Sequence, residues 1–459
     1  MEFNAASAYE YLRVLADEIG PRHGASKNEA AAARYIRDTL SGFGLRARLQ
    51  RYRMYSFEKA HATLRASDGR ELSCLPIAMS GKTPRAGVTA PVVFLEGNDP
   101  VGLDERIAGK IVVMFGDFRG ETQQAFAALG PAGLVSIQTR PYTKHLRAPR
   151  HADAVRKAGP VPSVTMTLDD GLELVRDLPD ELSLTVSTTE EKAKSGYNVV
   201  ADLPGSDPHD DDIVCVGAHY DSVWGAPGAV DNGGGAATMM ELARVFAKKG
   251  TRRNLRFLAF GGEEMGVWGS KSYVKKLVDE DAKLRKNKEF ERDGLRSELG
   301  RHRFLINLDV LGPLYGRSSA VALGDLDIPA SVRLLAKELR YPIDVTDSAV
   351  YSSDNMTFNY AGIPSLSFYR TAFEDIGMHT VDDTIAHASP DGFAHLGRFV
   401  EAWIDRYLQS THVFPFTKEY PQAAKDAVAA WYKGKNPLEY EVFGPEKKYE
   451  APSSKKPRS

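Results

Sequence analysis

Apolar and polar positions change rhythm three times along the chain. In NEAAAARYIRDTLSGFG (28–44) alanine, tyrosine, isoleucine and leucine recur at helical spacing, and glycines follow that can end a helix. LRARLQRYRMY (45–55) then alternates as a strand does. From about residue 60 to 192, short β-like pieces (APVVFLEG, GKIVVMFG, AGLVSIQ, LSLTVSTT) alternate with glycine and proline, with TQQAFAALG as a short helix between two of them. From GYNVVADLPGS onward, strand and helix alternate. The strands are DIVCVGAHYD, LRFLAFGG, FLINLDVLG and IPSLSFYR. The helices are GGAATMMELARVFAKKG, SKSYVKKLV, SVRLLAKELR and PDGFAHLGRFVEAWIDRYLQS.

This pattern predicts an α/β fold with a mixed, mostly parallel central sheet and helices on both faces. Its units are residues 1–60 with 193–435, an inserted β-rich module over 61–192, and a tail over 436–459. Residues 279–303 are densely charged with mixed sign and read as a solvated helical excursion. The basic stretch 144–159 reads as a solvated loop.

At 459 residues the chain is long enough for two domains. With a net charge of −2, no overall field favours nucleic acid or an anionic membrane. No apolar run is long enough to span a bilayer. The N-terminus as given lacks the basic-then-apolar order of a signal peptide, which fits a cytoplasmic protein or an exported one already trimmed. Cys74 and Cys215, without CxxC spacing, speak against a disulfide framework and a thiolate metal site.

Polar clusters stand where the predicted strands end. GAHYDS places His219 and Asp221 two residues apart, and AVDNGGG places Asp231 before a glycine-rich helix start. AFGGEEMG places Glu263 and Glu264 after a strand, INLDVLG carries Asp309, and GMHTVDDT carries His379. Each alone has a plainer reading: a hydrated strand end, an N-cap, an acidic first helical turn. Together they fall on the carboxyl-end side of one sheet, where α/β proteins gather ligands.

Imidazoles with carboxylates suit zinc. Two histidines and three carboxylates exceed the three protein ligands of a catalytic mononuclear site, whereas two ions sharing a carboxylate would use all five. Of the adjacent glutamates, one can bind metal while its neighbour acts as general base. Asp221 is placed to accept the second ring N–H of a ligating histidine.

The series H-x-D, D-N-x-G-G, E-E-x-G, N-x-D and H-T-x-x-D-T resembles the zinc aminopeptidase family with two co-catalytic metals. Its fold is shared with glutamate carboxypeptidase, glutaminyl cyclase and the transferrin receptor ectodomain. The resemblance covers residues 197–410 and the N-terminal helix, and the inserted module resembles a protease-associated domain. It implies two Zn2+ per chain, other divalent metals being possible. His219 and Asp309 would hold one ion, Glu264 and His379 the other, with Asp231 bridging, Glu263 as base, and a cis peptide between Asp231 and Asn232. YSSDNMTFNYAGIP (351–364) resembles a further family segment and makes Asp354 a site residue, with Tyr351 shifted by one position from the family's tyrosine.

The implied activity is an exopeptidase acting on peptides, first an aminopeptidase. A carboxypeptidase or dipeptide hydrolase on the same site is the alternative, with Arg370 as the candidate for a terminal carboxylate. A glutaminyl cyclase with one zinc and a non-catalytic receptor-like protein are the readings from other classes. The sequence is silent on oligomeric state.

Overall fold

Strands buried at nearly every position build the centre of the molecule. The computed structural model describes residues 2–57, 59–77, 80–97, 105–116, 125–139, 161–188, 192–287, 290, 295–371 and 377–432. The basic stretch 144–159 and the tail from 436 lie outside these residues.

In chain order the strands are β1 (Arg46–Ser56), β2 (Ala60–Ala66), β3 (Glu71–Leu72), β4 (Leu75–Pro76), β5 (Val88–Leu95), β6 (Ile111–Phe115), β7 (Gly133–Ile137) and β8 (Ser163–Met166). They continue with β9 (Glu181–Thr188), β10 (Lys192–Leu203), β11 (Ile213–His219), β12 (Asn254–Phe260), β13 (His302–Leu308), β14 (Ser318–Leu323), β15 (Asp344–Asp347) and β16 (Ser365–Arg370).

The larger sheet has the order β1-β10-β12-β11-β13-β16-β14-β15. Its middle strands β12, β11, β13 and β16 are parallel. All seven residues of β11 are buried, because helices cover both faces. Ala5–Arg13, Lys27–Gly42, Gly235–Lys249, Asp327–Leu339 and Pro390–Trp403 pack on one face. Trp268–Leu284 and Asn355–Tyr360 pack on the other. This is the mostly parallel, doubly covered sheet that the strand–helix alternation implied. Wholly buried Trp403 stacks on Phe416 at 5.8 Å and meets Phe304 at the same distance. Among the described residues, no helix is long and apolar enough to cross a membrane.

The second sheet, β3-β2-β9-β5-β6-β7-β8-β4, takes all its strands from the chain between β1 and β10. Those two strands are themselves paired in register from Arg46↔Asp202 to Ser56↔Lys192. The module thus leaves and re-enters the larger sheet at one place.

Three elements carry no clear signal in the hydrophobic pattern. Helix Ala5–Arg13 is short and is fixed by distant groups: Phe3 N–H donates to Glu401 at 2.7 Å and Asn4 N–H to Glu241 at 2.8 Å. β14 and β15 extend the far side of the sheet.

The charged segment 279–303 keeps its solvated helical reading at its start, where Asp279, Glu280, Lys283, Arg285 and Lys286 are exposed, and departs from it further on. Helix Trp268–Leu284 runs into it, and Asp281 in the last turn accepts hydrogen bonds from Ser297 and from Arg285. Glu298 pairs with Arg256, and His302, wholly buried, opens β13. Asp281 thus ties two parts of this segment together, and Glu298 ties it to the base of the sheet.

Candidate metal centre

Parallel strands deliver their last residues to one edge, and the site collects there. His219 is the last residue of β11, Asp309 follows β13 directly, and Glu263 and Glu264 follow β12. Asp231 stands before helix Gly235–Lys249, and His379 lies in the connection after β16.

The structure brings five of these side chains into two overlapping groups, His219–Asp231–Asp309 and Asp231–Glu264–His379. Within each group the candidate ligand atoms lie within 4.8 Å of one another. His219 Nε2 stands 3.3 Å from Asp231 Oδ1 and 3.3 Å from Asp309 Oδ1. His379 Nε2 stands 3.1 Å from Asp231 Oδ2 and 3.1 Å from Glu264 Oε2. Asp231 therefore turns one oxygen to each imidazole. A nitrogen and two carboxylate oxygens converge at each end, a donor set that fits zinc.

The backbone around Asp231 is tightly specified. The Asp231–Asn232 peptide is cis. The Asn232 amide holds both sides of Asp309: its Nδ2 donates to Leu308 O at 2.9 Å, and its Oδ1 accepts from Val310 N–H at 3.1 Å. Asp221 joins the two halves of the site. It lies 3.5 Å from His219 Nδ1 and accepts the Glu263 N–H at 3.0 Å and the Glu264 N–H at 3.4 Å. The glycines after Asp231 serve close packing rather than an anion cradle. A Cβ on Gly234 would fall 1.8 Å from Leu311 O, and one on Gly235 would fall 2.4 Å from Leu308 O.

Two supporting residues escaped the sequence reading. Asp383 accepts the Val230 N–H at 2.7 Å and the Asp231 N–H at 3.0 Å, one on each oxygen. It is the aspartate of H-T-x-x-D-T, so the motif held it without saying what it does. Arg22, wholly buried, donates to the carbonyls of Tyr220, Leu15, Gly20, Pro227 and Gly228. It staples the segments on either side of Asp221, and nothing near GPRHG signals this at a distance of some 200 positions.

The remaining candidates divide. Glu263 is half-buried beside the site. Burial pushes its carboxyl well above the usual range, with Glu264, Asp354 and Asp309 adding to the rise against the opposing pull of His219. Asp354 is wholly buried, and burial carries its carboxyl up to about 7. The Tyr351 ring packs on Tyr369 at 4.8 Å, and its phenol feels Asp309 and Asp231.

Arg370 does not join them. Strand alternation turns it to the face opposite Tyr369, where it donates to Ser318 Oγ at 3.1 Å and to Gly316 O at 2.9 Å. Its guanidinium braces a loop, and the expectation that it anchors a substrate carboxylate is corrected.

In the metal-free protein the imidazoles hold protons tightly. Burial pulls the His379 pKa down, but Glu264 and Asp231 outweigh it and carry it from 6.5 up to about 9. His219 is raised well above 6.5 in the same way, burial being outweighed by Asp309, Glu263, Asp221 and Asp231. Burial would raise Asp231, but the two imidazoles hold it below its usual value.

Two outcomes follow from this geometry. Asp383→Ala leaves two buried N–H groups unpaired, at about 1–3 kcal/mol each, and should lower zinc affinity by roughly 10–100-fold. Unfolding curves and zinc competition measure both, and unchanged zinc affinity would remove Asp383 from the site.

The pH dependence has a definite sign. The proton on His379 stabilises the metal-free fold fully below pH 6.5, and that contribution is lost as pH rises through about 9. Zinc displaces this proton, so affinity should climb between those pH values with protons released on binding. Zinc titrations in buffers across that window test it, and a flat profile contradicts it.

Comparison with known proteins agrees with the geometry. The chain is 28% identical over 418 residues to Aminopeptidase YwaD of Bacillus subtilis, covering 88% of this chain and 84% of that protein. It is 27% identical over 289 residues to Carboxypeptidase Q of Mus musculus, covering 58% of this chain and 60% of that one. Among solved structures, a zinc aminopeptidase from Bacillus subtilis superposes with a TM-score of 0.71 at 25% identity, covering 91% of this chain and 99% of that one. The family model described as Peptidase family M28 matches residues 198–404, which span every candidate ligand from His219 to His379. Over those residues the chain is similar to peptidase family M28.

Proposed function

We propose that this protein is a dinuclear zinc aminopeptidase that removes N-terminal residues from peptides. The observation that carries the reading is Asp231, with one oxygen toward His219 and the other toward His379. The likeness to the Bacillus subtilis aminopeptidases supports the same activity.

His219, Asp231 and Asp309 would hold one zinc and Asp231, Glu264 and His379 the other, and the metal would supply Lewis acidity for the scissile carbonyl and lower the pKa of the attacking water. Glu263 accepts the proton of that water and delivers it to the departing amine. Asp221 holds the Glu263–Glu264 backbone and orients the His219 ring, so base and ligand keep a fixed relation.

Apolar surfaces flank the ligands on two sides. Val230 and Val310, each next to a ligand in sequence, pack with Tyr315, Tyr369 and Met378. Met265, next to Glu264, packs with Phe57 and Trp224, and Ala60 of β2 packs on the same cluster. The second sheet is thereby tied to the rim of the site and serves as a wall that restricts access to chain ends. The apolar surroundings favour a terminal residue with an apolar side chain. Arg370 is occupied elsewhere, which speaks against the carboxypeptidase alternative despite the similarity to Carboxypeptidase Q.

The experiment is a panel of peptides with free or acetylated N-termini, assayed with and without chelator. Cleavage of the free-amine set, fastest with leucine or phenylalanine first and abolished by chelator, is expected. Equal cleavage of acetylated peptides from their carboxyl ends would replace this reading with the carboxypeptidase one.

Glu263→Gln should lower kcat by roughly 10²–10⁴-fold with zinc content unchanged. A variant with wild-type kcat would sink its role as base.

A further inference from the structure

Behind the His219–Asp309 side of the site lies a set of buried polar atoms that hydrolysis does not use. Neither carboxylate oxygen of wholly buried Asp354 makes a hydrogen bond of good geometry, the Ser270 hydroxyl being a polar neighbour that favours its charge. Ser353 Oγ, Asn355 Oδ1, Ser367 Oγ, and both Oδ1 and Nδ2 of Asn307 are in the same condition, with none of these residues more than 2% exposed.

The fold brings them to one place. Asn307 and Ser367 are register partners on β13 and β16. Helix Asn355–Tyr360 lies over these strands, where Asn359 Oδ1 accepts from Ser365 Oγ at 3.0 Å and from Asn355 Nδ2 at 3.2 Å. One turn back along the helix reaches Asn355, and one side-chain repeat along β16 reaches Ser367. Asn355 and Asp354 therefore end above Ser367 and Asn307. The charged groups that act on Asp354 include His219, Asp221 and Asp309, and Asp354 acts on Glu263, which places this group on the His219–Asp309 side of the metal centre.

The atoms include acceptors (Asp354, Asn355) and donors (the Asn307 amide, the serine hydroxyls) that do not reach one another. A bound cation would serve the oxygens and leave the Asn307 Nδ2 without a partner. Water donates and accepts, and so can satisfy the whole set.

We propose that the space between β13, β16 and the start of helix Asn355–Tyr360 is a sealed chamber of ordered water. Asp354, hydrated there, is a positioning residue whose charge favours the ion at His219 and Asp309 over the ion at Glu264 and His379. The inference rests on the two-metal reading.

Zinc titration against a chromogenic chelator tests it with the wild type and Asp354→Asn. One equivalent should weaken by about tenfold or more and the other by distinctly less, as expected when the lost charge stands nearer to one ion than to the other. Two unchanged equivalents, or two equally weakened ones, would overturn the inference while the two-metal reading stands. A wild type that takes up no zinc would overturn both. A high-resolution crystal structure of the zinc-loaded wild type tests the chamber without any variant. Waters bonded to Asp354, Asn307 and Ser367 are expected; a cation held by those oxygens, or direct bonds among the side chains, would refute it.

Discussion

Two imidazoles in this protein face opposite oxygens of a single buried carboxylate, and the rest of the site is arranged to hold that carboxylate still. Asp231 sits on a short turn between β11 and helix Gly235–Lys249. Its own N–H is held by Asp383, its neighbour Asn232 grips the backbone on both sides of Asp309, and Arg22 staples the loop before it. None of these contacts is local in sequence. They fix the distance between β11 and β13 at the edge where the metal ligands meet.

Burying so many acids is unfavourable unless positive charge meets them. Burial first, and neighbouring carboxylates after it, push Glu263, Asp354 and Asp383 upward, the last to about 8. In the metal-free protein, protons on His219 and His379 supply part of the compensation. Two divalent ions supply it more fully, since they bring +4 to a set of three ligand carboxylates. The same charge balance explains why residues outside the ligand set, such as Asp221 and Asp383, are held by backbone N–H groups rather than by cations.

The second sheet makes a separate contribution. It enters and leaves between two paired strands, so its attachment is short at both ends. The cluster of Phe57, Trp224 and Met265 seats it beside the turn that carries Glu263 and Glu264. The second sheet and the turn that carries Glu263 and Glu264 thus share one apolar contact.

Much of this was legible in the amino-acid order. Strands alternating with helices announced a sheet covered on both faces, and the helical repeats gave its layers, because burial leaves a periodic imprint on a linear chain. The ligand types and their places at strand ends were visible for the same reason: parallel strands all finish at one edge. What tertiary structure alone decided are the relations without periodicity. Arg22 meets carbonyls some 200 residues away, Arg370 turns to brace Ser318 and Gly316, and Glu298 reaches Arg256 of the sheet. A side chain's direction and its distant partners are set by packing, which no local pattern encodes.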